Sequence, residues 1–148
     1  MAEWRQDEYG ISDDPGRLDL AVVHGYLTRS YWAAGIPLDT VRRSIAHSLV
    51  FGLYAEERQI GFARVVSDQA TYAYLCDVFV LEEWCGRGLG KWLMATVVAH
   101  PALQGLRRWT LATRDAHGLY QQVGFTPLAR PEFFMERHDP EVYRRNDG

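Results

Sequence analysis

Val78-Phe79-Val80-Leu81-Glu82-Glu83-Trp84-Cys85-Gly86-Arg87-Gly88-Leu89-Gly90-Lys91-Trp92-Leu93 is the stretch on which the fold turns. It opens as an apolar run, passes through a glycine-rich turn and continues into a mainly apolar segment. Strand, glycine loop, helix is the physical recipe for a phosphate site: glycines let the backbone approach an anion closely, and the unpaired amides and dipole of a helix N-terminus favour negative charge. Several nucleotide motifs share that recipe, and spacing separates them. A dinucleotide fingerprint places its third glycine where Lys91 stands. A P-loop needs Ser or Thr after its Gly-Lys pair and a glycine at its start, whereas Trp92 follows Lys91 and Cys85 holds the first position. With both excluded, the stretch by itself is as consistent with a plain tight turn as with a phosphate cradle.

Upstream, Thr71 to Leu81 is rich in aromatic and β-branched residues and uncharged except for Asp77, which predicts a central strand buried on both faces. Before it, Leu49 to Tyr54 and Ile60 to Val66 flank the polar turn Glu56-Glu57-Arg58 as a hairpin. Tyr9 to Ser12 reads as a short edge strand, and Asp14-Pro15 as an N-cap with proline at the first helical position. Leu18, Ala21, Val22, Gly25 and Tyr26 follow with the spacing of one helix face. Gly35 and Pro37 break that periodicity, and Val41, Ile45 and Leu49 mark a second short helix.

Downstream, the glycine loop opens a helix over Leu89 to His100, ended with the help of Pro101. Arg108 to Thr113 reads as a strand and Ala116 to Gln122 as a short helix closed by Gly124. Phe125 to Leu128 and Phe133 to Glu136 are candidates for a last pair of strands. The order implies an α/β or α+β layer structure.

The chain's 148 residues, 47% of them hydrophobic, suit a single domain spanning 1–148 around one core. Its longest nearly uncharged apolar stretch, Trp92 to Ala99, is far short of a membrane span, and the charged N-terminus is unlike a secretion signal, so a cytoplasmic protein with no membrane partner is expected. Cys76 and Cys85 form neither a disulfide framework nor a metal-ligand spacing; no metal is expected, and free thiols agree with a reducing compartment. A net charge of -3 argues against a nucleic-acid partner.

The quoted stretch resembles the acyl-CoA loop of the GNAT superfamily of N-acetyltransferases, Arg/Gln-x-x-Gly-x-Gly/Ala after an apolar strand, and departs from it at Cys85, which stands at the first position. Ala116-His117-Gly118-Leu119-Tyr120-Gln121-Gln122-Val123-Gly124-Phe125 is similar to that family's helix and turn ending Tyr-x-x-x-Gly-Phe. Thr113 stands where many members carry Asn, with Asp115 close by as an alternative helix cap. Together the likeness covers about Tyr9 to Met135. It implies a mixed, mostly antiparallel central sheet flanked by helices on both faces, and acetyl-CoA as cofactor. The implied cofactor-binding residues are Val78, Phe79 and Val80, pairing with pantetheine like an added strand, Cys85, Gly86, Arg87, Gly88, Leu89, Gly90 and Lys91 at the pyrophosphate, and Thr113, Asp115 and Tyr120. The resemblance makes Tyr120 the acid that protonates the departing thiolate.

Acyl transfer to an amine also needs a neutral nucleophile. Deprotonating a lysine-like amine of pKa about 10.4 at pH 7 costs about 4.6 kcal/mol, which calls for a base. Asp77, the lone carboxylate of its strand, reads equally as that base or as a structural group holding a loop amide or Arg64; Tyr74, Glu82 and His117 are weaker candidates. Tyr26, Tyr31, Trp32, Phe62 and Tyr74 are expected to wall the pocket of a small-molecule or peptide amine, or else to be ordinary core. The segment from Phe133 to Pro140 is placed to close that pocket or to reach a second subunit of a homodimer. The activity implied is N-acetyl transfer, with an acyl-CoA-binding regulatory domain as the alternative that the departures at Cys85 and Thr113 favour.

Overall fold

The computed structural model describes residues 1–145. Strands β1 (Glu3–Gln6), β2 (Tyr9–Ser12), β3 (Leu49–Ala55), β4 (Arg58–Ser67), β5 (Tyr72–Val80) and β6 (Arg108–Thr110) form one sheet in chain order. Every neighbouring pair is antiparallel except β5 and β6, which run parallel. The helices are α1 (Leu20–Leu27), α2 (Leu38–Ala46), α3 (Leu89–Val98), α4 (His117–Gln121) and α5 (Val142–Arg145). Helices α1 and α2 cover one face of the sheet and α3 the other, and no helix among the described residues is long and apolar enough to cross a membrane.

Strand periodicity divides the core between the two faces. Phe51, Leu53, Ala63, Val65, Ala73 and Leu75 meet Leu89, Leu93, Met94 and Val97 of α3, while Val50, Phe62 and Phe79 meet Val23 and Leu27 of α1 and Val41 of α2. A bulge resets the alternation in β5. Phe62 pairs with Phe79 but Arg64 with Cys76, so Ala63 opposes the extra residue, and Asp77 takes φ of 56° to absorb it. The insertion returns Val78 and Val80 to the α3 face and turns Phe79 to α1, where it stacks on Tyr26 at 4.1 Å.

Several expectations change. Tyr9–Ser12 is not the edge: the charged Glu3–Gln6, tied in by Trp4 against Phe51 and His100, pairs outside it. Asp14 caps only a single 3-10 turn over Pro15–Arg17, and Asp19 caps α1, accepting from Ala21 and Val22. The buried face of α1 is accordingly Val23 and Leu27, with Val22 and Tyr26 partly covered and Ala21 exposed. Leu49 belongs to β3, not to α2.

The strand expected to be central, β5, is next to last in the sheet, with Tyr72 and Tyr74 exposed on one face. No strand forms between Phe125 and Glu136; Pro127 and Pro131 lack the amides a ladder needs, and Pro131–Phe133 makes a 3-10 turn that leaves Phe133 and Met135 exposed.

Candidate functional site

The parallel ladder of β5 and β6 is short. It pairs Tyr72, Ala73 and Tyr74 with Arg108, Trp109 and Thr110 and then stops, so from Leu75 to Val80 β5 has β4 on one side and no strand on the other. A cavity of about 1200 Å³ opens in that gap. Its walls come from the end of α1 and the following loop (Tyr26, Arg29, Tyr31, Trp32), from β5 (Tyr74 to Val78), from Leu81 to Glu83, and from the segment leading into α4 (Leu111 to Ala116, and Tyr120).

The glycine loop adjoins that cavity at Glu83. Gly86 and Gly88 have φ of 81° and 77°, the left-handed region in which a side chain is strained, and an added Cβ at either would meet no atom within 4 Å. Gly88 caps α3 without any side-chain hydrogen bond. Among the described residues no side chain caps the first-turn amides of α3, which leaves them the donors with which a helix N-terminus can hold an anion. Gly90 differs: it lies in contact with Leu119 and Val80, a packing position between α3, α4 and β5. Lys91 is exposed. Arg87 is drawn the other way, its guanidinium 4.8 Å above the Trp84 ring and donating to the Tyr9 hydroxyl at 3.3 Å. Cys85 is exposed, with Sγ 3.5 Å from the Val80 carbonyl and 3.6 Å from that of Leu81.

Asp77 sits in the cavity wall with both oxygens engaged. Oδ2 accepts from Arg64 Nε at 2.9 Å and Oδ1 from Trp32 Nε1 at 2.9 Å, while Arg64 also donates to Ser48 Oγ at 3.0 Å. Desolvation of the Arg64 guanidinium favours its neutral form, but Cys76 and Asp77 beside it outweigh this and raise its pKa. Of the two readings of Asp77 this geometry favours the structural one, because each carboxylate oxygen already accepts a hydrogen bond and the group holds the Arg64 guanidinium and the Trp32 indole in place.

Tyr120 lies in the wall, half-buried, its phenol pushed up to about 12 by burial and then by Tyr31 nearby. Burial likewise pushes the Cys76 thiol up to about 12, which leaves it protonated and unreactive at neutral pH. Thr113 and Asp115 also line the space. The hydroxyl of Thr113 accepts from the Ala116 amide at 3.1 Å, but no side chain caps α4, and Asp115, expected as its cap, pairs instead with Arg114 at 3.6 Å.

Tyr26, Tyr31, Trp32 and Tyr74 line the cavity; Phe62 does not, being fully buried beneath α1 and α2. Of the strand residues, Val78 lines the cavity, whereas Phe79 faces α1 and Val80 packs towards α3. Sequence reasoning missed Arg29 and Arg114. Each lies in an irregular segment without periodicity, and only the meeting of two distant loops, with the Arg114 guanidinium 4.0 Å over the Tyr31 ring and its amide donating to the Tyr31 hydroxyl, makes them neighbours.

A family model described as an acetyltransferase (GNAT) domain matches residues 46–127. The Gibberella zeae protein named "Putative acetyltransferase FG08082" is 31% identical over 122 residues, covering 69% of this chain and 68% of its own length. Among solved structures, a "putative acetyltransferase belonging to the gnat family" from Xanthomonas campestris pv. campestris is 54% identical, with a TM-score of 0.89 over 91% of this chain and 96% of that one. A GNAT family acetyltransferase from Elizabethkingia anophelis with acetyl-CoA bound shares the fold at a TM-score of 0.63 and 14% identity, over 82% of this chain and 78% of that one.

Proposed function

This chain belongs to the GNAT acetyltransferase family, and from that premise we propose that it transfers the acetyl group of acetyl-CoA to the primary amine of a small acceptor by direct attack. One observation carries the reading: the unpaired edge of β5 runs along the cavity, with Tyr120 in its wall, and the wall segment Leu81 to Glu83 leads directly into the glycine turn whose Gly88 opens α3 without a side-chain cap.

The residues present fit that cofactor. Main-chain amides from Gly86 to Lys91 would hold the pyrophosphate, since no neighbouring atom blocks the approach at Gly86 or Gly88, and the Lys91 ammonium adds positive charge beside them. The free edge of β5 around Val78 would take the pantetheine amides as an added strand. Acetyl-CoA supplies the acetyl group as a thioester, already activated towards an amine. Arg87, held on Trp84 and Tyr9, would act by propping the loop.

Tyr120 carries its proton at neutral pH because burial holds its phenol at about 12. A thiolate whose conjugate acid lies near 8.5 is a weaker base than the Tyr120 phenolate, so the phenol serves chiefly as a hydrogen-bond donor to charge developing on sulfur, and the amine's own proton completes the thiol. With Asp77 engaged by Arg64 and Trp32, Glu83 by Arg58 and Asp115 by Arg114, Glu82 is the cavity carboxylate with no ion pair among the described residues, and we assign it the proton that an ammonium acceptor loses before attack; the second proton, shed as the amide forms, is the one that completes the thiol. Burial keeps the Cys76 thiol protonated and a poor acyl acceptor, which supports direct attack by the amine over transfer through that cysteine.

Titration calorimetry with acetyl-CoA, followed by thiol release against an amine panel, tests the reading. Absence of any heat at millimolar cofactor sinks it, and binding without release from any amine returns the chain to the regulatory, non-catalytic alternative.

A further inference from the structure

Resting on the acetyltransferase reading, we infer that the acceptor carries an anionic group close to its amine, a carboxylate or a phosphate, and that Arg29 with the hydroxyls of Tyr26 and Tyr31 receives it. The donors on this wall are unspent. Arg29 Nε donates to the Gly25 carbonyl at 2.7 Å, which fixes the side chain against the end of α1 and leaves both amino ends of its fork free. No carboxylate lies within ion-pair distance of it among the described residues, whereas the cavity's other arginine, Arg114, is shared between Asp115 and the Tyr31 ring. The Tyr31 oxygen accepts from the Arg114 amide, so its own hydrogen is available; the Tyr26 hydroxyl, whose ring stacks on Phe79, has no partner within hydrogen-bond distance among the described residues. Burial raises the Tyr26 pKa, which keeps that hydroxyl a donor.

A guanidinium fork with hydroxyl donors in the same cavity wall matches carboxylate and phosphate oxygens bidentately. The same charge repels an acceptor whose only other group is a second ammonium, such as a polyamine, so the wall selects by exclusion as well as by attraction. Glu82 faces the same cavity and Tyr26 feels both its charge and that of Arg29, which puts an anion receiver and a proton acceptor on one short stretch of wall. The class this suits is a free amino acid or an aminoalkyl phosphate, the amine a few bonds from the anion.

The experiment measures thiol release with each common L-amino acid against its primary amide, and with phosphoethanolamine against ethanolamine, in the wild type, Arg29→Gln and Arg29→Lys. The expected result is a preference for the anionic member of one series, about tenfold to a hundredfold in kcat/KM, that collapses towards one in Arg29→Gln and is partly kept in Arg29→Lys. The series that shows it identifies carboxylate or phosphate. Equal use of acid and amide by the wild type, or an equal loss for both in Arg29→Gln, overturns the inference while leaving the acetyltransferase reading intact. Should no acceptor be turned over, calorimetry with N-acetylated amino acids against their amides on the CoA-loaded protein decides separately: binding of the acids that Arg29→Gln removes upholds the anion site although transfer has failed, and no difference between acid and amide ends it.

Discussion

A phenol at about 12 and a carboxylate with both oxygens engaged assign different work to Tyr120 and Asp77. If Tyr120 donates to sulfur as proposed, removing its hydroxyl takes away a donor used as sulfur becomes charged, not one used in binding. Tyr120→Phe is therefore expected to lower kcat about a hundredfold while the Kd for acetyl-CoA stays within about twofold, read by stopped assays and calorimetry. Because a raised pKa keeps an acid protonated at every pH below it, kcat should show no basic-limb loss from Tyr120 up to about pH 10, and a fall that Tyr120→Phe abolishes would count against the assignment. Asp77 works through its neighbours. Its side chain is 9% exposed and that of Arg64 18%, and leaving the guanidinium unpaired costs about 2–3 kcal/mol, so Asp77→Ala should unfold at correspondingly lower urea. Asp77→Gly loses the same pair but relieves the left-handed backbone at φ of 56°, and should be about 1 kcal/mol the more stable of the two. Both should raise the KM for amine more than that for acetyl-CoA, since Trp32 loses its anchor.

Between residue and molecule, the loop and helix around Gly88 carry the cofactor reading. At φ of 77° any Cβ is strained by about 1–2 kcal/mol, and Gly88→Ala also places a methyl where the proposed pyrophosphate site would lie; its acetyl-CoA Kd should rise about tenfold or more, while Gly118→Ala, on α4 and with nothing within 4 Å, leaves it unchanged. The strand-loop-helix unit was legible in sequence because glycine spacing and the change from apolar run to helix are local, and so were the hairpin of β3 and β4 and the short helix at Tyr120. What was not legible depended on partners distant in the chain. Glu3–Gln6 is a strand only because β2 and the His100 region receive it, and the Asp77 bulge shows itself only against the register of β4. Phe62 and Tyr26 looked alike as aromatic pocket walls, but Phe62 lies on β4 fully buried under α1 and α2, whereas Tyr26, in the last turn of α1, is only partly covered and reaches the cavity. Arg29 and Arg114 left no periodic signal at all.

Across the whole molecule, the sheet's two ends are fixed very differently. At the β6 end the ladder gives way to the cavity, whereas at the β1 end the structure is locked by a buried pair: Asp13 Oδ2 lies 2.8 Å from His100 Nε2, and its Oδ1 accepts from the Ala2 amide at 2.7 Å. His100 Nδ1 accepts from the Ala102 amide, so the ring's hydrogen sits on Nε2 and points at the carboxylate. The pair ties the β1–β2 hairpin to the end of α3, and with it the helix whose other end presents the glycine loop. Burial alone would raise the Asp13 pKa, but the hydrogen bonds from His100 and Ala2 and the charges nearby outweigh it, and the net shift is downward from 3.8. A depressed carboxylate contributes stability that is whole above its unfolded pKa and is lost as pH falls through the folded one. Acid should therefore loosen this end of the protein only below about pH 4, and Asp13→Asn, which cannot ionise, should show a shallower dependence of unfolding free energy on pH in that range while being less stable than the wild type at pH 7. Urea titrations at pH 7, 5, 4 and 3 measure both effects; parallel curves for the two proteins below pH 4 would show that Asp13 does not govern the acid response.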